Sequence, residues 1–256
     1  MTAATCTPRR ILITGAASGI GWAVAQRFAR GGHHLFLVDR DPKVTGLGPT
    51  LCAMGAPRCE GLVVDLNDTD ATLALAQRAQ QAWEGMDVLI NNAGISPKRQ
   101  GQPPKPNEID VQEWERVMRV NVTAPFLLSR DLVSGMIERQ FGRIVNIASR
   151  AGRTFVGPAG THYAASKAAL IGMTRHFAGL YAAQGVTANC VAPGRIQTPL
   201  SSTSAPEVLA AAVAAIPALR LGTPDEIAAA VEFLASDAAA YVNGTCLDVN
   251  GGIFMA

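Results

Sequence analysis

Cysteine is sparse and unpaired in this chain. The five thiols (Cys6, Cys52, Cys59, Cys190 and Cys246) are odd in number and lack the close spacing of a zinc site or a disulfide framework. No metal is therefore expected, and reduced thiols in a cytoplasm are the default. Excess charge is also lacking. Twenty-two basic and 20 acidic residues leave a net charge of +2, with both signs spread along the whole length. That gives no electrostatic footprint for nucleic acid or an anionic membrane. Long hydrophobic runs are missing too: Ile11-Leu12-Ile13 is soon broken at Gly15, too early for a signal peptide or membrane anchor. No internal repeat or low-complexity linker divides the chain, so residues 1–256 are read as one domain. These absences point to a soluble, cytoplasmic protein.

What is present suits one large α/β domain, because 48% hydrophobic content over 256 residues can build a full core. Short apolar runs alternate with longer helical patterns, as in a parallel sheet wrapped by helices. Strands are expected near Arg10–Thr14, His34–Val38, Gly61–Val64, Val88–Ile90, Arg143–Ala148, Thr187–Val191 and Thr245–Val249. Helices fit Ile20–Arg30, Ala71–Trp83, Val111–Arg139, Tyr163–Ala183 and Pro224–Leu234. Pro42–Gly55 carries Gly46, Gly48 and Pro49, so any helix there should be short or broken. Two polar, proline-bearing loops follow strands, about residues 95–109 and 194–214. Ligands of open α/β sheets bind beyond the carboxyl ends of strands, so both are read as substrate-rim elements, the first equally as a surface excursion.

Lysine and tyrosine are rare, four and three residues, yet Tyr163 and Lys167 stand four apart in one helical pattern. That spacing puts them on one face, where an ammonium stabilises a phenolate and lowers the tyrosine pKa toward useful acid–base chemistry. The first strand runs into Thr14-Gly15-Ala16-Ala17-Ser18-Gly19-Ile20-Gly21 ahead of an amphipathic helix. Glycines there admit a tight turn and close approach of a pyrophosphate to the helix N-terminus. The second strand ends at Asp39, about 20 residues beyond the turn, placed to accept the adenosine ribose hydroxyls. Its charge repels a 2′-phosphate, which favours NAD over NADP; the neighbouring Arg40 argues the other way.

Taken together these residues resemble the short-chain dehydrogenase/reductase superfamily in its one-domain form of about 250 residues. The resemblance covers essentially the whole chain. It rests on Thr14–Gly21, Asp65-Leu66, Asn91-Asn92-Ala93-Gly94, Asn121 in Val120-Asn121-Val122 and Ser149 in Ile147-Ala148-Ser149. Tyr163 with Lys167, Pro193-Gly194-Arg195-Ile196-Gln197-Thr198 and Asp248-Val249-Asn250-Gly251-Gly252 complete it. It implies a doubly wound, Rossmann-like, mostly parallel seven-stranded sheet. It also implies a catalytic set: Tyr163 as acid–base, Lys167 as pKa modulator and ribose ligand, Ser149 as donor to the substrate oxygen, and Asn121 as a helix interruption holding a relay water. Implied cofactor contacts are Gly15, Ser18, Gly19, Ile20 and Gly21 at the turn, then Asp39, Asp65 and Leu66. Asn92, Tyr163, Lys167, Ile196 and Thr198 follow, with a homotetramer as the implied assembly. Two departures stand out: one extra residue between Ser149 and Tyr163, and the weak Pro42–Gly55 helix.

The expected activity is NAD(P)-dependent interconversion of a secondary alcohol and a ketone, with NAD(H) preferred. An NADPH-dependent 3-oxoacyl carrier-protein reductase is the enzymatic alternative, and a non-catalytic nucleotide sensor or scaffold the alternative of another class. Arg150, Arg153, Thr154, Phe155, His162 and Arg195 flank the expected catalytic groups. Their cations suit an anionic substrate, or else pair with neighbouring acids.

Overall fold

A computed structural model describes residues 7–197 and 206–256. Seven strands form one all-parallel sheet in the order β3-β2-β1-β4-β5-β6-β7. They are β1 (Arg10–Thr14), β2 (His34–Asp39), β3 (Cys59–Val63), β4 (Val88–Asn91), β5 (Gly142–Ile147), β6 (Val186–Pro193) and β7 (Cys246–Val249). The order reverses between β1 and β4, which pair in register from Ile11↔Val88 to Ile13↔Ile90. The connections on either side of that point leave in opposite directions, so a crevice opens beyond the carboxyl ends of these two strands.

Helices cover both faces: α1 (Gly19–Arg30), α2 (Gly48–Ala53), α3 (Thr69–Gln81), α4 (Val111–Met118), α5 (Ala124–Glu138), α6 (Thr161–Tyr181), α7 (Pro206–Ala214) and α8 (Pro224–Ala235). Strand side chains alternate, so Ile11 and Ile13 enter the layer under α1 and α8 while Leu12 enters the layer under α3 and α5. All three are fully buried.

The long helix expected over Val111–Arg139 is three pieces. Between α4 and α5 the chain widens into a π turn at Arg119–Thr123. Pro125 has no N–H for the Asn121 carbonyl and its ring would strike that carbonyl, so a regular α-ladder is blocked there. The helix expected to end at Trp83 stops at Gln81, since Trp83 has a φ of 52°. The Pro42–Gly55 segment is a 3₁₀ turn at Pro42–Gly46 followed by the six-residue α2, short as expected. Part of the 194–214 rim is helical instead of loop. Its alanine-rich stretch after Pro206 favours helix, which the polar residues upstream obscured. Thr198 and the Ser201-Ser202-Thr203-Ser204 run lie outside the described residues.

Candidate active site

The glycine turn is built by close packing. Gly15 has a φ of +65°, and a Cβ on Gly21 would lie 2.1 Å from the Gly15 carbonyl oxygen. Only glycine lets the first turn of α1 approach the end of β1 this closely. Ser18, the N-cap of α1, makes no side-chain cap hydrogen bond. First-turn N–H donors are thereby left for an anion, and the helix dipole favours one there.

Two side chains fasten this turn to its surroundings. Asp39 accepts from the Ala17 N–H at 2.8 Å and the Asp41 N–H at 3.0 Å, which fixes its carboxylate at the turn. The Asn92 amide donates to the carbonyls of Thr14 at 2.9 Å and Gly15 at 3.1 Å. Sequence reasoning assigned Asn92 to the cofactor, but both its donors are spent within the protein. Its role is to bind the end of β4 to the end of β1. Thr14 reinforces the join, its buried Oγ1 accepting from the N–H groups of Asn92 and Ala93, both at 3.1 Å. A buried threonine closing the strand before a glycine turn was the signal for this role.

A cleft of about 260 Å³ opens above this join. Its lining brings together six of the expected cofactor residues: Gly15, Ser18, Asp39, Asp65, Leu66 and Asn92. Arg40 and Arg116 also line it. Gly19, Ile20 and Gly21 sit at the start of α1 beneath it. Ile196 is not part of that lining; it is buried in an isolated bridge to Gly222.

The second half of the site lies beyond β5. Ser149 stands beside Tyr163, close enough to favour its phenolate, and Ser149 Oγ accepts from the Ala151 N–H at 3.1 Å. Lys167, on the next turn of α6, is 3% exposed. Its Nζ donates to the Ile147 carbonyl at 2.7 Å and lies 5.7 Å from the Tyr163 ring centroid. Asn121 sits fully buried in the π turn. Its amide donates to Ile95 O and Ser166 Oγ, both at 3.0 Å, while its oxygen accepts from Ile95 N–H at 2.8 Å. A Cβ on Gly94 would meet Lys167 Nζ at 3.3 Å and Asn121 Oδ1 at 3.4 Å, so glycine at 94 keeps these polar groups close.

Burial sets the electrostatics. It holds the Lys167 ammonium down to about 8, against an opposing pull from the Cys190 thiol. It pushes the Tyr163 phenol above its ordinary value, partly offset by the neighbouring Ser149 side chain. A lowered tyrosine pKa was expected from the Lys167 spacing, and the direction here is opposite because burial disfavours the charged phenolate. The protein alone therefore favours the protonated phenol at Tyr163.

Several candidate substrate contacts are committed elsewhere. Arg153 pairs with Asp248 at 3.0 Å, donates to the Cys246 carbonyl at 2.9 Å and stacks over Phe254. His162 is fully buried and faces Glu113, not a cleft. Phe155 is 91% exposed and Arg150 half-buried. Burial lowers the Arg150 pKa. Among the described residues no cluster of His, Cys, Asp or Glu could hold a metal ion, and no helix is long and apolar enough to cross a membrane.

Comparison with known proteins agrees with this geometry. Residues 15–254 match a family model described as enoyl-(acyl carrier protein) reductase. The chain is 40% identical to nodulation protein G of Rhizobium sp. (strain N33), over 97% of this chain and 98% of that one. A 3-oxoacyl-[acyl-carrier protein] reductase from Brucella melitensis, solved with bound NAD, superposes with a TM-score of 0.90 at 38% identity, covering 98% of this chain and 94% of that one. A protein of Beutenbergia cavernae, assigned as an NAD(P)-dependent gluconate 5-dehydrogenase and solved with NADP at low occupancy, superposes equally well. Its TM-score is 0.90 at 35% identity, covering 98% of this chain and 99% of that one.

Proposed function

Because this chain belongs to the short-chain dehydrogenase/reductase family of oxidoreductases, we propose that it interconverts a secondary alcohol and a ketone with NAD(H), using Tyr163 as the acid–base. One observation carries the reading: Tyr163, with Ser149 beside it, has the buried Lys167 Nζ 5.7 Å from its ring, on the same sheet whose first strand ends in the uncapped glycine turn. The site fits a dinucleotide on its own geometry, through the close Gly15–Gly21 approach and the Asp39 carboxylate in the cleft wall. Gly15, Ser18, Gly19, Ile20 and Gly21 would hold the pyrophosphate end. Asp39, Asp65 and Leu66 would take the adenosine end, and the main chain at Asn92, with Ile196 and Thr198, the nicotinamide side.

A bound nicotinamide supplies the hydride donor or acceptor. In ketone reduction the Tyr163 hydroxyl gives its proton to the substrate oxygen as negative charge grows there, while the Ser149 hydroxyl donates a second hydrogen bond to the same atom. In alcohol oxidation the same phenol oxygen takes the proton back. Lys167, its pKa held near 8, is suited to exchange protons near neutral pH. Asn121 anchors the π turn beside it and links Ile95 to Ser166 of the tyrosine helix.

Replacing Tyr163 by Phe should lower turnover by about 10²–10⁴-fold, the usual range for a lost acid–base, while NADH binding, read by nicotinamide fluorescence, persists. Dinucleotide binding by the wild type with no turnover across a panel of secondary alcohols and ketones would instead support a nucleotide-sensing protein. NADH is expected to bind at least about tenfold more tightly than NADPH, a difference of about 1.4 kcal/mol, because Asp39 faces the cleft. A second reading, 3-oxoacyl carrier-protein reduction with NADPH, is favoured by Arg40 and Arg116 at the same cleft. Tighter NADPH binding would move it to the front.

A further inference from the structure

The first turn of α6 lacks a capping side chain, since Gly160 stands at its N-cap. The donor that most needs an acceptor there is the N–H of Tyr163, which follows directly. His162 supplies one: its Nδ1 lies 2.8 Å from the Tyr163 nitrogen. An atom that accepts carries no proton, so the proton of the neutral ring sits on Nε2. Nε2 faces Glu113 Oε1 at 3.0 Å and donates to it. The other oxygen of Glu113 meets Arg99 Nη2 at 3.3 Å, and Arg99 Nη1 donates to the Glu108 carbonyl at 2.7 Å. The imidazole is fully buried, and a Cβ on Gly160 would come within 2.6 Å of it.

We propose that His162 and Glu113 are positioning residues for Tyr163, fixing the height of its phenol through the main chain, and that Arg99 ties this support to the substrate rim. The inference rests on Tyr163 being the acid–base. Glu113 fixes one tautomer of His162; that tautomer presents a bare nitrogen to the tyrosine N–H; the bond to Glu113 holds the first turn of α6 against α4. Misplacement of a catalytic group by an ångström can cost about a hundredfold in rate, so a remote buried pair can control kcat.

The isosteres separate this role from mere packing. Asparagine at 162 keeps an acceptor where Nδ1 stands but no longer reaches Glu113, whereas glutamine reaches Glu113 and loses the acceptor. Relative to wild type, His162→Gln and His162→Ala should lower kcat by about ten- to a hundredfold, with KM for the dinucleotide unchanged. His162→Asn should recover to within a few-fold. Equal kcat in the Asn and Gln variants, or loss confined to thermal stability with kcat intact, would overturn the proposal. Nitrogen-15 spectra of the wild-type histidine rings test it without any variant: His162 should carry its proton on Nε2, and the opposite tautomer would sink it. Should wild-type protein turn over no alcohol or ketone, the acid–base reading itself fails, a result distinct from active enzyme that ignores His162.

Discussion

Two buried charged clusters lie at opposite ends of the sheet, and they are built on opposite principles. At the amino end, Asp87 accepts from Arg10 Nη2 at 2.6 Å, Arg10 Nε at 3.0 Å, the Arg10 N–H at 3.0 Å and Arg139 Nε at 3.2 Å. Burial alone would raise its pKa, but the side-chain and backbone hydrogen bonds of Arg10 hold it below the ordinary carboxylate value. At the carboxyl end, Lys167 is as deeply buried but has no carboxylate partner, only a carbonyl, a phenol face and a nearby thiol. Its charge is therefore disfavoured. A satisfied ion cluster stabilises and leaves its groups chemically inert; an unsatisfied one costs stability and keeps a proton mobile.

The largest effect expected from breaking this contrast is a split between activity and stability. Lys167→Met should reduce turnover by about a hundredfold or more. It should also raise the free energy of unfolding by about 1–3 kcal/mol, because a buried ammonium is replaced by an apolar chain of similar length. Parallel kcat and guanidinium-melt measurements check both halves, and a loss of both would put Lys167 among the structural charges. The converse should hold at the other end. Asp87→Ala leaves Arg10 and Arg139 without their partner and should destabilise by about 3–5 kcal/mol, while kcat per folded molecule stays within about twofold of wild type, as expected far from the site. A large fall in kcat at full folding would mean that the two ends are coupled through β1 and β4.

How far the sequence revealed each end follows from the kind of signal each carries. Alternating apolar runs made the sheet legible, and the Tyr163–Lys167 and Gly15–Gly21 spacings brought the candidate site into view because local geometry turns spacing into proximity. The π turn was hidden inside a continuous helical pattern over Val111–Arg139, although Pro125 held its signature. Glu113 was invisible as a partner of His162, since it stands three residues after Asp110 and reads as part of an N-terminal cap, which it also is: its N–H donates to Asp110 Oδ1 at 2.7 Å. Contacts between residues 49 apart, as in Glu113–His162, are set by tertiary packing that no local window contains. The direction of the Tyr163 pKa was misread for the same reason, because burial is a property of the fold and the lysine spacing is a property of the sequence.

The smallest effect is also the one that separates the two clusters most sharply: their pH dependence has opposite origins. Asp87 is depressed in the folded protein, so its stabilisation is complete above the ordinary carboxylate value of 3.8 and is lost as pH falls through the lower folded value. Lys167 falls from an ordinary 10.5 to about 8 on folding. Below pH 8 both states hold the proton and the cost of burying the ammonium is fully felt. Between about 8 and 10.5 the unfolded chain still binds a proton that the folded one has released, so stability rises with pH across that window. The full rise is of order 3 kcal/mol, and because the window is wide, each step of one pH unit contributes only a fraction of it. Unfolding free energies of wild type and Lys167→Met at pH 7, 8, 9 and 10 isolate the term, since other groups titrating there are shared by both proteins. The advantage of the methionine variant should shrink steadily above pH 8; an advantage constant across the series would mean that the bond to the Ile147 carbonyl keeps the ammonium charged, and that the carboxyl end, like the amino end, holds a charge at rest.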